Sequence, residues 1–187
     1  MPAKIAIAVA VVVVGLVVVV ALQPKDYRVS RSATIAAPAP VVFALVNDFH
    51  KWAAWSPWAT VDPAMKQSFE GAPAGAGAAY TWSGNREVGE GRMTIVESRP
   101  PELVRVKLDF DKPLKGTSMA EFAFRSEGRS EGRPEGDRTV VTWSMTGEKS
   151  FVAKAIHLVL GVERIIGQQF EKGLAAMKTA AEAAPRS

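Results

Sequence analysis

The chain has 187 residues, which leaves room for one domain of ordinary size behind any targeting segment. Hydrophobic residues make up 48% of it and charged residues 22%, the balance of a globular protein with a sizeable core. The net charge of +4 comes without any run of four basic residues, which argues against a nucleic-acid-binding face, and the lack of cysteine excludes disulfides and thiolate metal sites.

Residues 5–22, IAIAVAVVVVGLVVVVAL, carry neither a charge nor a polar side chain. As a helix, this run spans about 27 Å, close to the roughly 30 Å of a bilayer's hydrocarbon core. It predicts a single-pass transmembrane anchor, with a tip of residues 1–4 before it and a linker of residues 23–26 behind it. Val19 and Ala21 also fit signal-peptide cleavage after Ala21, so a cleaved signal is the alternative.

The side of the membrane on which the domain lies is weakly encoded. Lys4 precedes the apolar run, whereas Lys25, Arg28 and Arg31 follow it. Because basic residues flank both ends, the positive-inside rule leaves the orientation open. Of the two sides, we expect the extracytoplasmic one.

The domain begins with a strand and two short helices. Residues 27–38 alternate apolar and polar side chains up to Pro38, which predicts a strand. Residues 39–55 carry an apolar stripe and have Pro40 in the first turn, which predicts one or two short helices.

Three of the chain's five tryptophans, Trp52, Trp55 and Trp58, fall within seven residues around Pro57. Tryptophan buries a large area and has one N–H to satisfy. Three interpretations follow. The cluster joins the short helices to the sheet as part of the core, it lines a pocket, or it contacts a membrane interface, where tryptophan is enriched.

Strand-like runs separated by Gly, Pro and Asn follow at 66–71, 77–84, 88–98, 102–110, 117–126 and 137–147. Several alternate clearly, so that Val104 and Val106, Ala120 and Phe122, or Val141 and Trp143 share one face of their strand. A dry face opposite a wet face is typical of an antiparallel sheet. Residues 126–138 contain no apolar residue and predict a long solvated hairpin loop.

The chain closes with a predicted long helix, whose apolar stripe is Val162, Ile166, Phe170, Leu174, Met177 and Ala181. Before it, residues 151–161, FVAKAIHLVLG, are more apolar than one buried helical face requires. This segment has two interpretations. It packs in the core against the short helices and tryptophans, or it rests on the bilayer as a gate to a cavity, with Lys154 reaching the headgroups.

This order of elements predicts an α+β fold, with a curved antiparallel sheet of about seven strands around a long C-terminal helix. Such a sheet cannot close over one helix without space between them. Tyr80, Trp82, Phe122 and Trp143 are predicted to face that space.

The motifs NDFHKWAAWSPW…DPAMK, GEGRMTI, VTWSMTG and IGQQFEKGLAAMK carry a family resemblance. The chain resembles the SRPBCC or START-like helix-grip superfamily, and within it the bacterial polyketide cyclase/dehydrase-like branch. The resemblance covers residues 27–183 and leaves 184–187 as a tail. It implies a cavity under the long helix that binds a hydrophobic molecule, but it does not transfer any one activity.

The resemblance and the alternation together give an expected ligand-binding set of Trp55, Trp58, Tyr80, Trp82, Val106, Phe122, Trp143, Met145, Phe170 and Leu174. The expected partners are a lipid or other hydrophobic small molecule, and a membrane through residues 5–22. We expect no nucleic acid, no metal and no cofactor.

Candidates for catalysis are few. His50 and His157 have no obvious carboxylate partner motif, and Ser56 and Ser83 lack the setting of an activated nucleophile. We therefore expect no catalytic residue. Three functions stay open: a non-catalytic ligand-binding module, which the scarcity of acid–base groups favours; a cyclase or dehydratase in the same cavity; and a protein-interaction domain whose cavity is filled.

Four further polar residues are candidates for a functional role: Asp48, Glu70, Glu90 and Arg92. Glu90 and Arg92 are two apart and so share one face of a strand. If that face points inward, they form a buried acid–base pair. If it points outward, which the apolar Gly91, Met93 and Ile95 favour, they are surface residues of little energetic weight.

Overall fold

The computed structural model of the chain describes residues 2–127 and 138–184. Ten residues of the predicted hairpin loop, 128–137, lie outside the described residues. In chain order the elements are helix α1 (Pro2–Leu22), strand β1 (Asp26–Ile35), helix α2 (Ala39–Val46), two 3₁₀ helices (Phe49–Ala54 and Pro57–Thr60), strands β2 (Lys66–Gly71), β3 (Ala78–Ser83), β4 (Glu90–Arg99), β5 (Leu103–Lys112), β6 (Gly116–Glu127) and β7 (Arg138–Glu148), and helices α3 (Phe151–Leu160) and α4 (Val162–Glu182).

The seven strands form one curved antiparallel sheet in the order β1-β7-β6-β5-β4-β3-β2. Neighbouring strands are consecutive in the chain except for β1, which pairs with β7 along its whole length, from Asp26 opposite Glu148 to Ile35 opposite Thr139. Helix α4 packs on the inner face of this sheet. The arrangement confirms the predicted helix-grip fold.

The inner face of the sheet follows the predicted alternation. Val104 and Val106 on β5, Phe122 and Phe124 on β6, and Trp143 on β7 are all buried. Arg105 and Glu121, which are adjacent to them in sequence, form an ion pair on the outer face. Because side chains alternate between faces, this register turns the large apolar residues toward α4.

The approach of α4 to the sheet depends on a glycine. Phe170, Leu174 and Met177 form the buried stripe of the helix, as predicted. A Cβ at Gly173 would lie 2.8 Å from Trp143 Cζ3 and 3.0 Å from Pro57 Cδ. Glycine at this position therefore lets the helix lie directly on the tryptophan ring.

Helix α1 extends away from the domain core, and its valines and isoleucines are largely exposed. Residues Ala3–Leu22 are long and apolar enough to cross a membrane, although an N-terminal signal sequence meets the same criterion. The finding is consistent with either interpretation of the apolar run.

The expectation that residues 151–161 pack in the core is wrong. Gly161, with a φ of +61°, ends α3 in the left-handed conformation that favours glycine, so that α3 and α4 are separate helices. No residue of α3 is buried, and Phe151, Val152 and Val159 are more than half exposed. The contacts of α3 are instead with α1 and with the start of α4, through Lys154 and His157.

Candidate functional site

A cavity of about 290 Å³ lies between the inner face of the sheet, the 3₁₀ helices and α4. Its wall is formed mainly by aromatic and aliphatic side chains. From the 3₁₀ region and the helices come Phe49, Trp52, Trp58, Ile166 and Phe170, and from the strands come Phe69, Tyr80, Trp82, Met93, Leu108, Phe110, Trp143 and Met145.

Of the ten residues predicted to bind a ligand, six lie in the cavity wall: Trp58, Tyr80, Trp82, Trp143, Met145 and Phe170. The other four, Trp55, Val106, Phe122 and Leu174, are at most 2% exposed and pack behind the wall in the core. Alternation identified the inward face correctly, but it could not tell which inward residues border the open space. The ligand-binding role of the six stays a prediction.

Several wall residues were not in the predicted set. Leu108 and Phe110 lie on the same face of β5 as the predicted Val106, and Met93 lies on the apolar face of β4 with Gly91 and Ile95, so the alternation could have included all three. Trp52 belongs to the tryptophan cluster. Phe69 on the exposed strand β2 also lines the cavity, and its ring stacks on that of His50 with centroids 4.2 Å apart.

The tryptophan cluster serves both as core and as cavity wall. Trp52 donates its indole N–H to Val46 O, and Trp55 donates its indole N–H to Leu45 O. The nitrogen–oxygen distance is 2.9 Å in both bonds. These bonds tie the first 3₁₀ helix and the residue that ends it to the last turn of α2. Trp52 and Trp58 face the cavity, whereas Trp55 is 1% exposed and lies behind it.

Trp143 lies at the centre of the aromatic cluster. Its ring stacks on Phe170, with centroids 3.9 Å apart, and on Phe122 at 4.9 Å, and it meets Trp55 and Trp58 edge to face. Its Nε1–H is buried and has no hydrogen-bond acceptor among the described residues. An unpaired buried donor costs about 1–3 kcal/mol, which the surrounding ring contacts must offset.

The cavity has a polar rim, by which we mean the exposed wall residues His50, Glu87 and Lys112. The expectation that His50 lacks a carboxylate partner is wrong, because Asp48 Oδ1 lies 2.9 Å from its Nδ1. The same Asp48 oxygen accepts from the backbone N–H of His50 and so caps the first 3₁₀ helix. Capping accounts for this aspartate without a catalytic role.

Tyr80 is a half-buried titratable residue of the cavity wall. Burial raises the pKa of Tyr80 to about 12, so its hydroxyl is neutral at physiological pH. Within residues 2–127 and 138–184 there is no group of three or more His, Asp or Glu side chains placed to hold a metal ion. Apart from its charged rim, the wall thus offers mainly apolar surface and a few neutral polar groups, among them the hydroxyls of Tyr80 and Ser56.

Glu90 and Arg92 point to the outer face of the sheet, as expected. Glu90 pairs with Lys112 at 3.1 Å, and Arg92 pairs with Glu70 at 2.8 Å. The hydrogen bond from Lys112 lowers the pKa of Glu90. Gly91 between them faces inward, where an added Cβ would lie 2.6 Å from the ring of Trp82. These are exposed ion pairs rather than a buried acid–base pair.

Residues 26–182 match the family described as polyketide cyclase / dehydrase and lipid transport. The chain belongs to this family. The matched range runs from the start of β1 to the end of α4 and leaves α1 outside it. The family and the fold together indicate a hydrophobic-ligand-binding or cyclase-like domain. No curated protein sequence matches the chain.

Several solved structures are similar to this chain. Protein CV1439 from Chromobacterium violaceum has a TM-score of 0.53 and 15% identity, and the match covers 87% of this chain and all of CV1439. Ginseng major latex-like protein 151 from Panax ginseng has a TM-score of 0.56 and 12% identity, covering 84% and 99%. The di-domain ARO/CYC BexL from the BE-7585A biosynthetic pathway has a TM-score of 0.57 and 17% identity, covering 89% of this chain and 53% of BexL. At these identities the similarity shows a shared fold.

Proposed function

We propose that this domain binds a lipid or another hydrophobic small molecule in the cavity, without catalysis, and that α1 holds it at a membrane. The character of the wall carries the proposal: aromatic and aliphatic side chains line the depth, and the charged residues among those described stand at the rim. Small-molecule sites typically combine such a wall with few polar groups, in volumes of about 300–1,000 Å³. The 290 Å³ here suits one slender molecule.

The position of the cavity relative to α1 supports a ligand drawn from the membrane. Strand β1 starts directly after α1. Antiparallel pairing places the β3–β4 and β5–β6 turns at the same end of the sheet as the start of β1. We call this end of the sheet the anchor end. Val88 in the first turn and Pro113 in the second line the cavity. An apolar ligand entering here would avoid water, at a saving of about 0.8 kcal/mol per methylene group.

A cyclase or dehydratase activity is the second candidate function. The Asp48–His50 pair at the rim favours it, since a carboxylate that orients an imidazole is a common arrangement for acid–base chemistry. A third candidate, a protein-interaction domain with a filled cavity, is disfavoured by the open volume.

The test is native mass spectrometry of a shortened chain that starts at Asp26, purified from cells without detergent. We expect an apolar adduct that denaturing solvent releases. Ala120 is buried in the cavity wall, so Ala120→Phe should fill the space and remove the adduct. Met119→Phe, on the opposite face of the same strand, is the matched control and should retain it.

Four outcomes separate the candidates. Loss of the adduct in Ala120→Phe alone supports binding in the cavity, whereas equal adducts in both variants would contradict it. If the extracted molecule is incubated with fresh protein and returns with an altered mass, and His50→Asn prevents the change, the protein is an enzyme. Return of the molecule unchanged supports the binding module.

A further inference from the structure

Helix α3 carries its apolar face outward. Phe151, Ala155 and Leu158 follow the spacing of one helical stripe, and Val152 and Val159 adjoin it. The large side chains of this face are exposed: Phe151 by 51%, Val152 by 56%, Leu158 by 43% and Val159 by 76%. In a helix on the surface of a water-soluble domain the polar face would be outside, so α3 has the reverse arrangement.

The side of α3 that faces the protein carries its polar residues. The side chain of His157 is 16% exposed, its ring centroid lies 5.3 Å from that of Tyr27, and its Nδ1 lies 3.6 Å from Glu163 Oε1. Lys154 Nζ donates to Ala21 O over 3.2 Å. These contacts fix the rotation of α3, because turning the apolar stripe inward would break all of them.

The start of α3 is also held in place. Ser150 Oγ accepts from Ala153 N at the start of the helix. The preceding residue, Lys149, is buried and its Nζ lies 3.0 Å from Glu163 Oε1 on α4. The outward apolar face therefore belongs to a helix anchored to the domain at its polar side.

The contact between Lys154 and Ala21 also sets the depth of α3. The apolar run of α1 ends at Leu22, one residue after Ala21, and a helix rises about 1.5 Å per residue. If α1 spans a bilayer, the level of Ala21 is the boundary between acyl chains and headgroups. Helix α3 contacts α1 at this level through Lys154 and carries an exposed apolar face of its own beside it.

We propose that α3 is a second membrane contact, which lies in the interface of the bilayer that α1 spans and turns Phe151, Leu158 and Val159 toward the acyl chains. Interfacial helices place their apolar face about 5–10 Å into the headgroup boundary. The inference rests on the proposed membrane anchoring by α1 and goes beyond it, since a single spanning helix would leave the domain free to rotate above the bilayer. With α3 as a second contact, the anchor end of the sheet is held at the membrane.

The test uses the full chain, which has no native cysteine, so that single positions can carry a nitroxide label. Three exposed valines give chemically matched sites: V12C in α1, V159C in α3 and V96C on the domain, with native exposures of 70%, 76% and 47%. Each protein is reconstituted into vesicles of phosphatidylcholine and phosphatidylglycerol. Collision rates with oxygen, which concentrates among acyl chains, and with a water-soluble nickel chelate are then compared.

We expect the ratio of oxygen to nickel collisions at Val159 to exceed that at Val96 several-fold and to approach the ratio at Val12. An equal ratio at Val159 and Val96 would overturn the inference while leaving the anchor in place. Low collision rates with both reagents at Val159 would assign the face to a protein contact, such as a second copy, and would also overturn it. A ratio of oxygen to nickel collisions at Val12 as low as that of a water-exposed site would refute both the anchor and this inference. It would not refute ligand binding in the cavity.

Discussion

The ring of Trp143 on β7 lies parallel to the ring of Phe170 on α4, with centroids 3.9 Å apart and an interplanar angle of 10°. This contact joins the middle of strand β7 to the helix that covers the sheet, and both rings also form part of the cavity wall. The same two residues therefore contribute to the stability of the fold and to the shape of the site.

Replacing Phe170 should destabilise the domain strongly. Phe170 is fully buried, so Phe170→Ala should lower the free energy of unfolding by about 3–5 kcal/mol. Ile165→Ala on the exposed side of the same helix is the control and should change it by less than about 0.5 kcal/mol. Urea unfolding of the shortened chain measures both, and similar values for the two variants would argue against the packing of α4 described above.

Two tryptophans of nearly equal burial should respond differently to phenylalanine. Trp55→Phe leaves Leu45 O without its donor, whereas Trp143→Phe removes a donor that has no acceptor among the described residues. We expect Trp55→Phe to be the more destabilising by about 1–3 kcal/mol, the cost of an unpaired buried polar group. Urea midpoints of the two variants test this, and the reverse order would contradict the hydrogen-bond assignment.

The fold could be predicted from the sequence because its signals are periodic. Alternation along residues 102–110 and 137–147, and the spacing from Phe170 to Ala181, each gave the buried face that the structure has. The 3₁₀ geometry of the tryptophan segment could not be predicted, because short 3₁₀ helices have no period that separates them from α-helix.

The candidate site was less predictable, for a physical reason. Val106 and Phe122 face inward like Trp143, but they lie where other core side chains fill the space, so they do not border the cavity. Periodicity gives the direction of a side chain, not the distance to the layer above it. Similarly, composition left open whether residues 151–161 pack in the core, and the exposure of α3 in the structure excludes that interpretation.

The anchor proposal predicts the behaviour of two forms of the protein. The full chain should stay with membranes through high-salt and carbonate washes, because α1 presents an apolar span to lipid. The shortened chain that starts at Asp26 should fold without detergent, since the described core cluster contains no residue of α1. A mature protein that begins at Leu22, or a full chain that washes off, would contradict the anchor.

Stability should depend on pH through His157. Burial lowers the pKa of His157 below its usual value of 6.5, against the opposing effect of Glu163. The unfolded state therefore takes up the proton at a higher pH than the folded state, so stability should fall as the pH drops below about 6.5 toward the lower folded pKa. His157→Phe keeps a ring beside Tyr27 and should show a smaller loss between pH 7.5 and 5.5.

Glu163 should act at lower pH. The hydrogen bond from Lys149 lowers the pKa of Glu163 below its usual 4.5, so its stabilising contribution is present above 4.5 and is lost as the pH falls through the folded value. This loss is expected in the native chain and in His157→Phe alike. Urea midpoints of the two proteins, measured from neutral to acidic pH, give the difference in their stability. Parallel curves from pH 7.5 to 5.5 would show that His157 is not responsible.

The most direct test of ligand binding uses the chain's own tryptophans. Trp52, Trp58, Trp82 and Trp143 line the cavity, and Trp55 lies within 5.6 Å of Trp143 between ring centroids. A fatty acid brominated midway along its chain should therefore quench the fluorescence of the shortened chain in a saturable, one-site titration. We expect Ala120→Phe to abolish this quenching and Met119→Phe to retain it. Equal quenching in the two variants, or none in the native chain, would contradict binding of an acyl chain in the cavity.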